Sequence, residues 1–435
     1  MSIIIDLVVI VLLLVMCNEN LQKGFWMGVL VAISYPVGTY FNTLSMTKFI
    51  GGFNIMHIIP LTILFCWVIK NYKLSFKINL YFVSIIVLIL LYVINIFKTT
   101  AEINDVVKDS QKYIVALLWL ILAKLIFSNE NIGIDKFFKV IGLASLINSI
   151  IGFIFIFGVD KIGSLFELDK IQVMDDANLA LISCSSIYVC VIGRALYIVL
   201  NGNIKNHKIE VVAGCTCLLY LLIGTNSRTN LMILLILAIY IFVNAKRELG
   251  IKLIFLVFFI ILIFAFFIKF RDSAVITRLL DTNFTSTSLM SGQDTLLTRI
   301  NTIKYYFPLA LRKPLGNGFG HLYRIVNQFG RFHGVEGDYF LDNELINTVL
   351  KIGPFGLISY IVVLIYPVIF SVKKMKIEKL GYIIMTYLLL LFSGLLMTAQ
   401  GIKNYQMSII ISILNYIIYN QKASLKFDIN VKKKE

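Results

Sequence analysis

The chain has 435 residues, 59% of them hydrophobic and 15% charged, with a mean hydropathy of +0.87. That composition excludes an ordinary soluble globular domain and points to an integral membrane protein. The net charge of +16 does not call for a nucleic-acid partner. Most of it sits in short basic clusters between apolar runs, where it sets membrane topology.

Apolar runs suited to crossing about 30 Å of hydrocarbon recur from end to end. They fall at 2–16, 24–41, 53–69, 78–97, 113–127, 137–158, 177–200, 209–224, 230–244, 251–270, 352–371, 380–398 and 405–420. The expected fold is therefore all-α and integral to the membrane, with about 12–13 transmembrane helices, the first of them short. Residues 1–270 carry helices 1–10, and residues 271–351 form one large loop containing short amphipathic helices. Residues 352–420 carry helices 11–13, and 421–435 form a basic tail. The N-terminus has no basic stretch followed by a small-residue cleavage site, so a cleavable signal is not expected. All six cysteines lie in apolar segments and are expected to be free thiols.

Alternate loops assigned to opposite sides, with the tail inside, give 22 Lys/Arg inside and 18 outside, nine of the 18 in loop 271–351. Without that loop the balance is 22 to 9, a positive-inside bias that turns the loop outward. Clusters such as Lys70/Lys73/Lys77 and Lys432–Lys434 read as topology determinants or contacts with anionic lipid.

Along the chain, the first departure from monotony is the acidic outer loop 159–176, with Asp160, Glu167, Asp169, Asp175 and Asp176. The second is 209–244, two short helices joined by Thr225-Asn226-Ser227-Arg228-Thr229. Sixteen residues rise only about 24 Å, which sets the polar turn below the membrane surface. A cation there needs an anion or water, so Arg228 is a functional candidate.

The third is the large loop. The chain has nine arginines, and six of them (Arg271, Arg278, Arg299, Arg312, Arg324 and Arg331) fall in residues 271–350 beside only two lysines. Arginine presents a planar fork of donors that fits phosphate or carboxylate, so this loop is built to grip an anion. Within it, residues 295–311 pattern as an amphipathic helix, with Leu296, Ile300, Ile303 and Phe307 as the apolar stripe and Arg299 on the neighbouring face. The breaker-rich turn Lys313-Pro314-Leu315-Gly316-Asn317-Gly318-Phe319-Gly320 follows. No strand-turn-helix unit surrounds these glycines, which excludes a dinucleotide fingerprint. They instead allow close approach of backbone to a helix or a bulky substrate. His321, Arg324, Arg331, His333, Glu336, Asp338, Asp342 and Glu344 then crowd into 24 residues. Histidine, carboxylate and arginine together are the equipment for moving a proton beside an anion. Asp342-Asn343 opens a helix that ends at Gly353-Pro354-Phe355-Gly356.

In this order, the polar turn 225–229, Arg299, the turn 314–320, Asp342-Asn343 and Lys351-Ile352-Gly353-Pro354-Phe355-Gly356-Leu357 resemble the bacterial O-antigen and capsule polymerases of the Wzy type. Their relatives, the O-antigen ligases, share the pattern. The resemblance covers about residues 220–360 in motifs. It implies a GT-C-like inverting glycosyltransferase of the inner (plasma) membrane that joins glycans carried on polyprenyl diphosphate, outside the membrane. It implies no cofactor, metal or nucleotide sugar, and no nucleic acid. The implied partners are the polyprenyl-diphosphate-linked oligosaccharide, membrane lipids, and a chain-length regulator and flippase of the same pathway. The family's outer-loop active-site arginines map onto Arg228 and Arg299. Many ligase relatives carry His-Asn where this chain has Asp342-Asn343, which favours the polymerase.

The residues fit that chemistry on their own terms. A sugar C1 bonded to diphosphate needs its departing charge held, an acceptor hydroxyl oriented and a proton removed. Arg228 and Arg299 suit the first task, and His333, Asp338 or Glu336 the last, with nothing in the sequence choosing among them. Arg324, Arg331, His321, Asp342, Asn343, Gly316, Gly318 and Gly320 are the candidates for holding substrate. The rival class is a flippase for lipid-linked oligosaccharide. It ranks second because no span is expected to carry a cation at its middle and the outer loops are not uniformly short.

Overall fold

A computed structural model describes residues 2–34, 55–70, 80–127, 133–166, 185–201, 204–223, 228–245, 250, 252–253, 257, 295–324, 326, 329–332, 341, 343–371, 378–397 and 405–431. The described helices are α1 (Ser2–Glu19), α2 (Leu21–Ser34), α3 (Ile55–Lys70), α4 (Leu80–Lys98), α5 (Ile103–Ile126), α6 (Ile134–Phe166) and α7 (Ser185–Asn201). A 3-10 turn at Ile204–Asn206 leads to α8 (Lys208–Ile223) and α9 (Arg228–Asn244). After these come α10 (Thr295–Leu311), α11 (Glu344–Ser371), α12 (Glu378–Leu391), a π-helical turn at Phe392–Met397, and α13 (Tyr405–Val431). Among the described residues no strand forms, only one isolated antiparallel bridge between Val326 and Phe332.

Among the described residues, three helices are long and apolar enough to cross a membrane: Leu80–Lys98, Ile134–Phe153 and Glu344–Ile369. Leu21–Ser34, Ile55–Lys70, Ser186–Asn201, Asn230–Asn244 and Leu380–Gly394 are apolar but shorter. The expected span at 251–270, apart from residues 252–253 and 257, lies outside the described residues, as does 167–176 of the acidic loop expected at 159–176, whose first part, 159–166, is instead the end of α6. Large apolar side chains such as Phe65, Leu90, Ile239 and Phe355 are exposed on the outside of the bundle. A soluble protein would leave few such surfaces uncovered, whereas lipid is a good solvent for them.

The interior is one continuous apolar cluster. Phe25 packs edge-on against Trp26, Trp119 and Phe127 at centroid distances of 5.3–5.7 Å, joining α2 to α5. Buried amides tie the helices where apolar packing alone has no direction. Asn415 of α13 accepts from the Tyr81 hydroxyl (2.6 Å) and donates to the Val363 carbonyl (2.9 Å) and the Tyr387 hydroxyl (2.7 Å). One side chain thus joins α4, α11, α12 and α13. At the end of α2, Asn148 and Gln406 both donate to the Ile33 carbonyl, at 2.8 and 2.7 Å.

The order of these contacts fixes which ends lie together. His57, near the start of α3, meets the Tyr405 hydroxyl at the start of α13 (3.0 Å). The π-helical turn that precedes α13 holds Ser393 beside Ser186 at the start of α7. Ser186 in turn donates to Asn230 at the start of α9 (2.9 Å). The starts of α3, α7, α9 and α13 therefore share one end of the bundle.

One basic residue departs from expectation. Arg194 lies inside the predicted span 177–200, six residues before its end, and is 2% exposed, so a buried cation does occupy a predicted span, toward one end of it. Its charge is matched by Asp135 of α6 (2.6 Å) and Glu210 of α8 (3.6 Å), which is what makes the position tolerable.

Replacing Asn415 by leucine should lower the stability of the bundle by about 2–4 kcal/mol, because the buried Tyr81 hydroxyl and the carbonyl of Val363 lose their partners together. Thermal melting in detergent measures this, with Ile409→Val, expected to cost about 0.5–1.5 kcal/mol, as the apolar reference. Equal midpoints for the two variants would contradict the hub role.

Candidate functional site

The glycine turn is a backbone graft onto three helices. Gly316, Gly318 and Gly320 all have positive φ, as does Gly353 in the middle of α11. A Cβ on Gly316 would overlap the Lys351 carbonyl, and one on Gly353 would overlap the Pro314 carbonyl. The two breaker motifs are therefore in direct contact, and only glycine lets them close. Pro354 has no N–H to offer the carbonyl of Leu350 four residues earlier. The Asn317 N–H takes that place at 2.7 Å, and the Gly318 N–H bonds the next carbonyl, that of Lys351, at 3.1 Å.

On its other side the turn docks on α4 and α5. The Lys98 ammonium donates to the Gly316 carbonyl (3.3 Å), the Thr99 hydroxyl to the Phe319 carbonyl (2.7 Å) and the Phe319 N–H to the Asn95 carbonyl (3.4 Å). The Phe319 ring is fully buried against Tyr92 and Tyr113, with centroids at 5.7 and 5.4 Å. Beneath it lies a charged pair that the sequence does not announce. Lys351 and Asp109 are both 0% exposed and joined by an ion pair. The second Asp109 oxygen accepts the Gly320 N–H at 2.9 Å, and the ammonium lies 5.4 Å from the Tyr113 ring centroid.

Above this lock the loop has a small core of its own, separate from that of the bundle: Tyr306, Ala310, Tyr323, Val326, Leu341, Ile346, Val349 and Leu350. It cements α10 to the first turns of α11. Asn343 is buried and caps α11, its side-chain oxygen accepting the Ile346 N–H at 3.0 Å. Asn347 clamps residue 341 by accepting its N–H and donating to its carbonyl, both at 2.8 Å.

The face of α10 turned to the protein is offset from the expected apolar stripe. Thr302, Tyr306 and Ala310 are buried and Arg299 and Ile303 half-buried, while Ile300 and Phe307 are exposed. The reason is hydrogen bonding. Tyr306 donates to the Arg324 carbonyl (2.8 Å) and Thr302 to the Val326 carbonyl (3.4 Å), so polar side chains take the inner face. Burial pushes the Tyr306 and Tyr323 phenols above their ordinary range. Ile300, Phe307 and Leu311 are left on an outer face suited to a bilayer.

This arrangement gathers three of the expected arginines along α10. Arg299 lies one turn before Thr302 on the inner face, with its Nε buried and without a hydrogen-bond partner among the described residues. Val326 and Phe332 form an isolated antiparallel bridge, Gly330 between them has a φ of 74°, and Phe332 packs against Tyr305 at 5.1 Å. Arg324 and Arg331 are exposed on either side of this hairpin. His321 is half-buried beside the glycine turn. Arg228 is the first residue of α9, two residues before Asn230 and so at the bundle end where α3, α7 and α13 begin. Its side chain lies outside the described part, and His333, Glu336, Asp338 and Asp342 lie outside the described residues.

Removing Lys351 alone should be strongly destabilising, by about 3–5 kcal/mol, because it strands a buried carboxylate. In Asp109→Asn/Lys351→Met the neutral amide still accepts the Gly320 N–H, so the double variant should be more stable than Lys351→Met. Melting midpoints of the purified single and double variants measure this. A double variant no better than Lys351→Met would show that the ion pair is not the lock.

Comparison with known proteins falls on this same region. No curated protein and no solved structure matches the chain. Residues 213–361, about a third of its length, match the profile of the O-antigen ligase (Wzy_C) family, in a segment that runs from α8 through α9, α10 and the glycine turn into α11. Over that segment the chain is similar to the O-antigen ligase and polymerase superfamily.

Proposed function

We propose that the protein is a polysaccharide polymerase that joins polyprenyl-diphosphate-linked oligosaccharide repeat units on the outer face of the cytoplasmic membrane. The observation that carries this reading is the half-buried Arg299, its Nε without a partner, on a platform shared with Arg324 and Arg331 inside the family-matched segment. In the reaction the C1–O bond to the diphosphate breaks as the acceptor hydroxyl bonds to C1 with inversion. The polyprenyl diphosphate departs with the electron pair, and the hydroxyl proton passes to a base.

Arg299 and Arg228 hold the diphosphate as its charge grows. Each charge-assisted hydrogen bond contributes about 1.5–3 kcal/mol, so two arginines that tighten on the leaving group supply roughly 3–6 kcal/mol. His333 is the first choice of base near neutral pH, ahead of Asp338 and Glu336. Arg324, Arg331 and His321 meet the glycan or its phosphates, and Asp342 is a further candidate contact. Gly316, Gly318, Gly320 and Asn343 serve the substrate indirectly, by shaping the wall and capping α11. A second reading, transfer of the finished glycan to another acceptor, is favoured by the matched profile, which is described as a ligase. Both readings use the same leaving group.

Arg228→Lys and Arg299→Lys keep the charge and lose the fork. Each should cut the coupling rate by about ten- to a hundredfold, as the loss of one charge-assisted bond implies, with expression unchanged. Wild-type rates in both variants, measured on purified protein with lipid-linked repeat units, would remove these residues from the site. The outward orientation is tested separately by Ser291→Cys, which should react with an impermeant maleimide in intact cells. Labelling that needs permeabilised membranes would invert the topology and deny the enzyme its compartment.

A further inference from the structure

The end of the bundle remote from the glycine turn holds a cavity of about 830 Å³ between α2, α6, the 3-10 turn and α8. Its position follows from α5, which meets the glycine turn at Asp109, near its start, and ends at Ile126, just before α6 begins at Ile134. Four lysines line the cavity: Lys136 and Lys139, one turn apart on α6, Lys205 on the 3-10 turn, and Lys208 at the start of α8. Two carboxylates, Asp135 and Glu210, share the wall, but both are already committed. Arg194 bonds Asp135 at 2.6 Å and lies 3.6 Å from Glu210, while His207 Nδ1 lies 2.8 Å from the other Glu210 oxygen. None of the four lysines joins an ion pair among the described residues. Among the described residues their ammoniums therefore have no carboxylate of their own, and only Lys136 has an aromatic ring near it, Trp26 at 6.0 Å.

A topology signal requires only that basic residues stay on one side of the membrane. It does not require lysines from three elements to converge on one concave wall while a buried arginine occupies the acids between them. The wall also has an apolar side, where Leu30 of α2 faces Val140 and Leu143 of α6. A hydrated phosphate has no use for that surface, whereas acyl chains do. Lysine ammoniums are mobile point charges that suit a phosphate without demanding one geometry.

We propose that this cavity binds the phosphodiester headgroup of an anionic membrane lipid, with Lys136, Lys139, Lys205 and Lys208 around the phosphate and the acyl chains along α2 and α6. The proposal depends on the membrane character of the chain and not on the glycosyl-transfer reading, and its test contains no coupling assay. Purified full-length protein in detergent is offered equal phosphatidylglycerol and phosphatidylcholine of matched chains, and retained lipid is counted by native mass spectrometry. Phosphatidylglycerol should be retained at least about tenfold over phosphatidylcholine, a margin well within what four nearby lysines supply. The combined variant Lys136→Gln, Lys139→Gln, Lys205→Gln and Lys208→Gln should lose the preference, and the matching set of four Lys→Arg changes should keep it. Equal retention of the two lipids by wild type, a preference that survives in the glutamine variant, or its loss in both variants would overturn the proposal. Displacement of phosphatidylglycerol by millimolar inorganic phosphate would give the site to a soluble anion and overturn it as a lipid site. No displacement is expected.

Discussion

The ion pair between Asp109 and Lys351 is the constraint on which the architecture of the loop rests. A glycine-rich turn has little apolar surface with which to hold itself against a helical bundle. Here it is held by charge and by backbone. One carboxylate oxygen takes the lysine of α11, and the other takes the Gly320 N–H. Burying two charges is costly, and such a pair adds little net stability over an apolar substitute. Its value lies in specificity, because any other packing of α5 against α11 would strand one of the charges, and any other docking of the turn would leave the second Asp109 oxygen without the Gly320 N–H. Phe319, seated between Tyr92 and Tyr113, supplies the apolar part of the attachment.

From this anchor the rest of the platform follows. The kink at Gly353 and the missing N–H of Pro354 leave carbonyls of α11 for the turn to bond. The first turns of α11, capped by Asn343 and clamped by Asn347, provide half of the loop's own core. Helix α10 lies on that core and carries Arg299 on its inner face. On the proposed reading, packing fixes the surroundings of this cation before any anion arrives, which would leave little reorganisation for the reaction. The outer face of α10, with Ile300, Phe307 and Leu311, suits contact with lipid, which would keep the arginines near the depth at which a polyprenyl diphosphate presents its phosphates.

The parts of this arrangement that were legible in the sequence are those encoded locally. Breaker residues marked both the turn at 314–320 and the break at Gly353, and the concentration of arginines singled out the loop. Asp342-Asn343 marked the helix start, and Asn343 proves to be its cap. What the sequence concealed is non-local. Asp109 lies 242 residues from Lys351, in the polar stretch Lys108-Asp109-Ser110-Gln111-Lys112 ahead of the span expected at 113–127, and no periodicity signals a partner so far away. The stripe on α10 was displaced because hydrophobicity alone cannot register that Thr302 and Tyr306 bond the backbone of a hairpin still to come. Arg194 was obscured for a related reason: its partners Asp135 and Glu210 open two other helices and read individually as interfacial charges. Gly330, which turns the hairpin carrying Arg331, is an isolated glycine with no motif around it.

Polymerase, ligase and transporter would all use a cationic platform facing a lipid-linked diphosphate, and they differ in what they do with the sugar. The direct discriminator is the length distribution of products when purified protein in liposomes receives lipid-linked repeat units alone, without nucleotide sugar or a second acceptor. A polymerase converts them into a ladder that grows by whole repeat units, with free polyprenyl diphosphate released in step. Repeat units that cross the bilayer unchanged, or that remain single until another acceptor is added, would contradict that account.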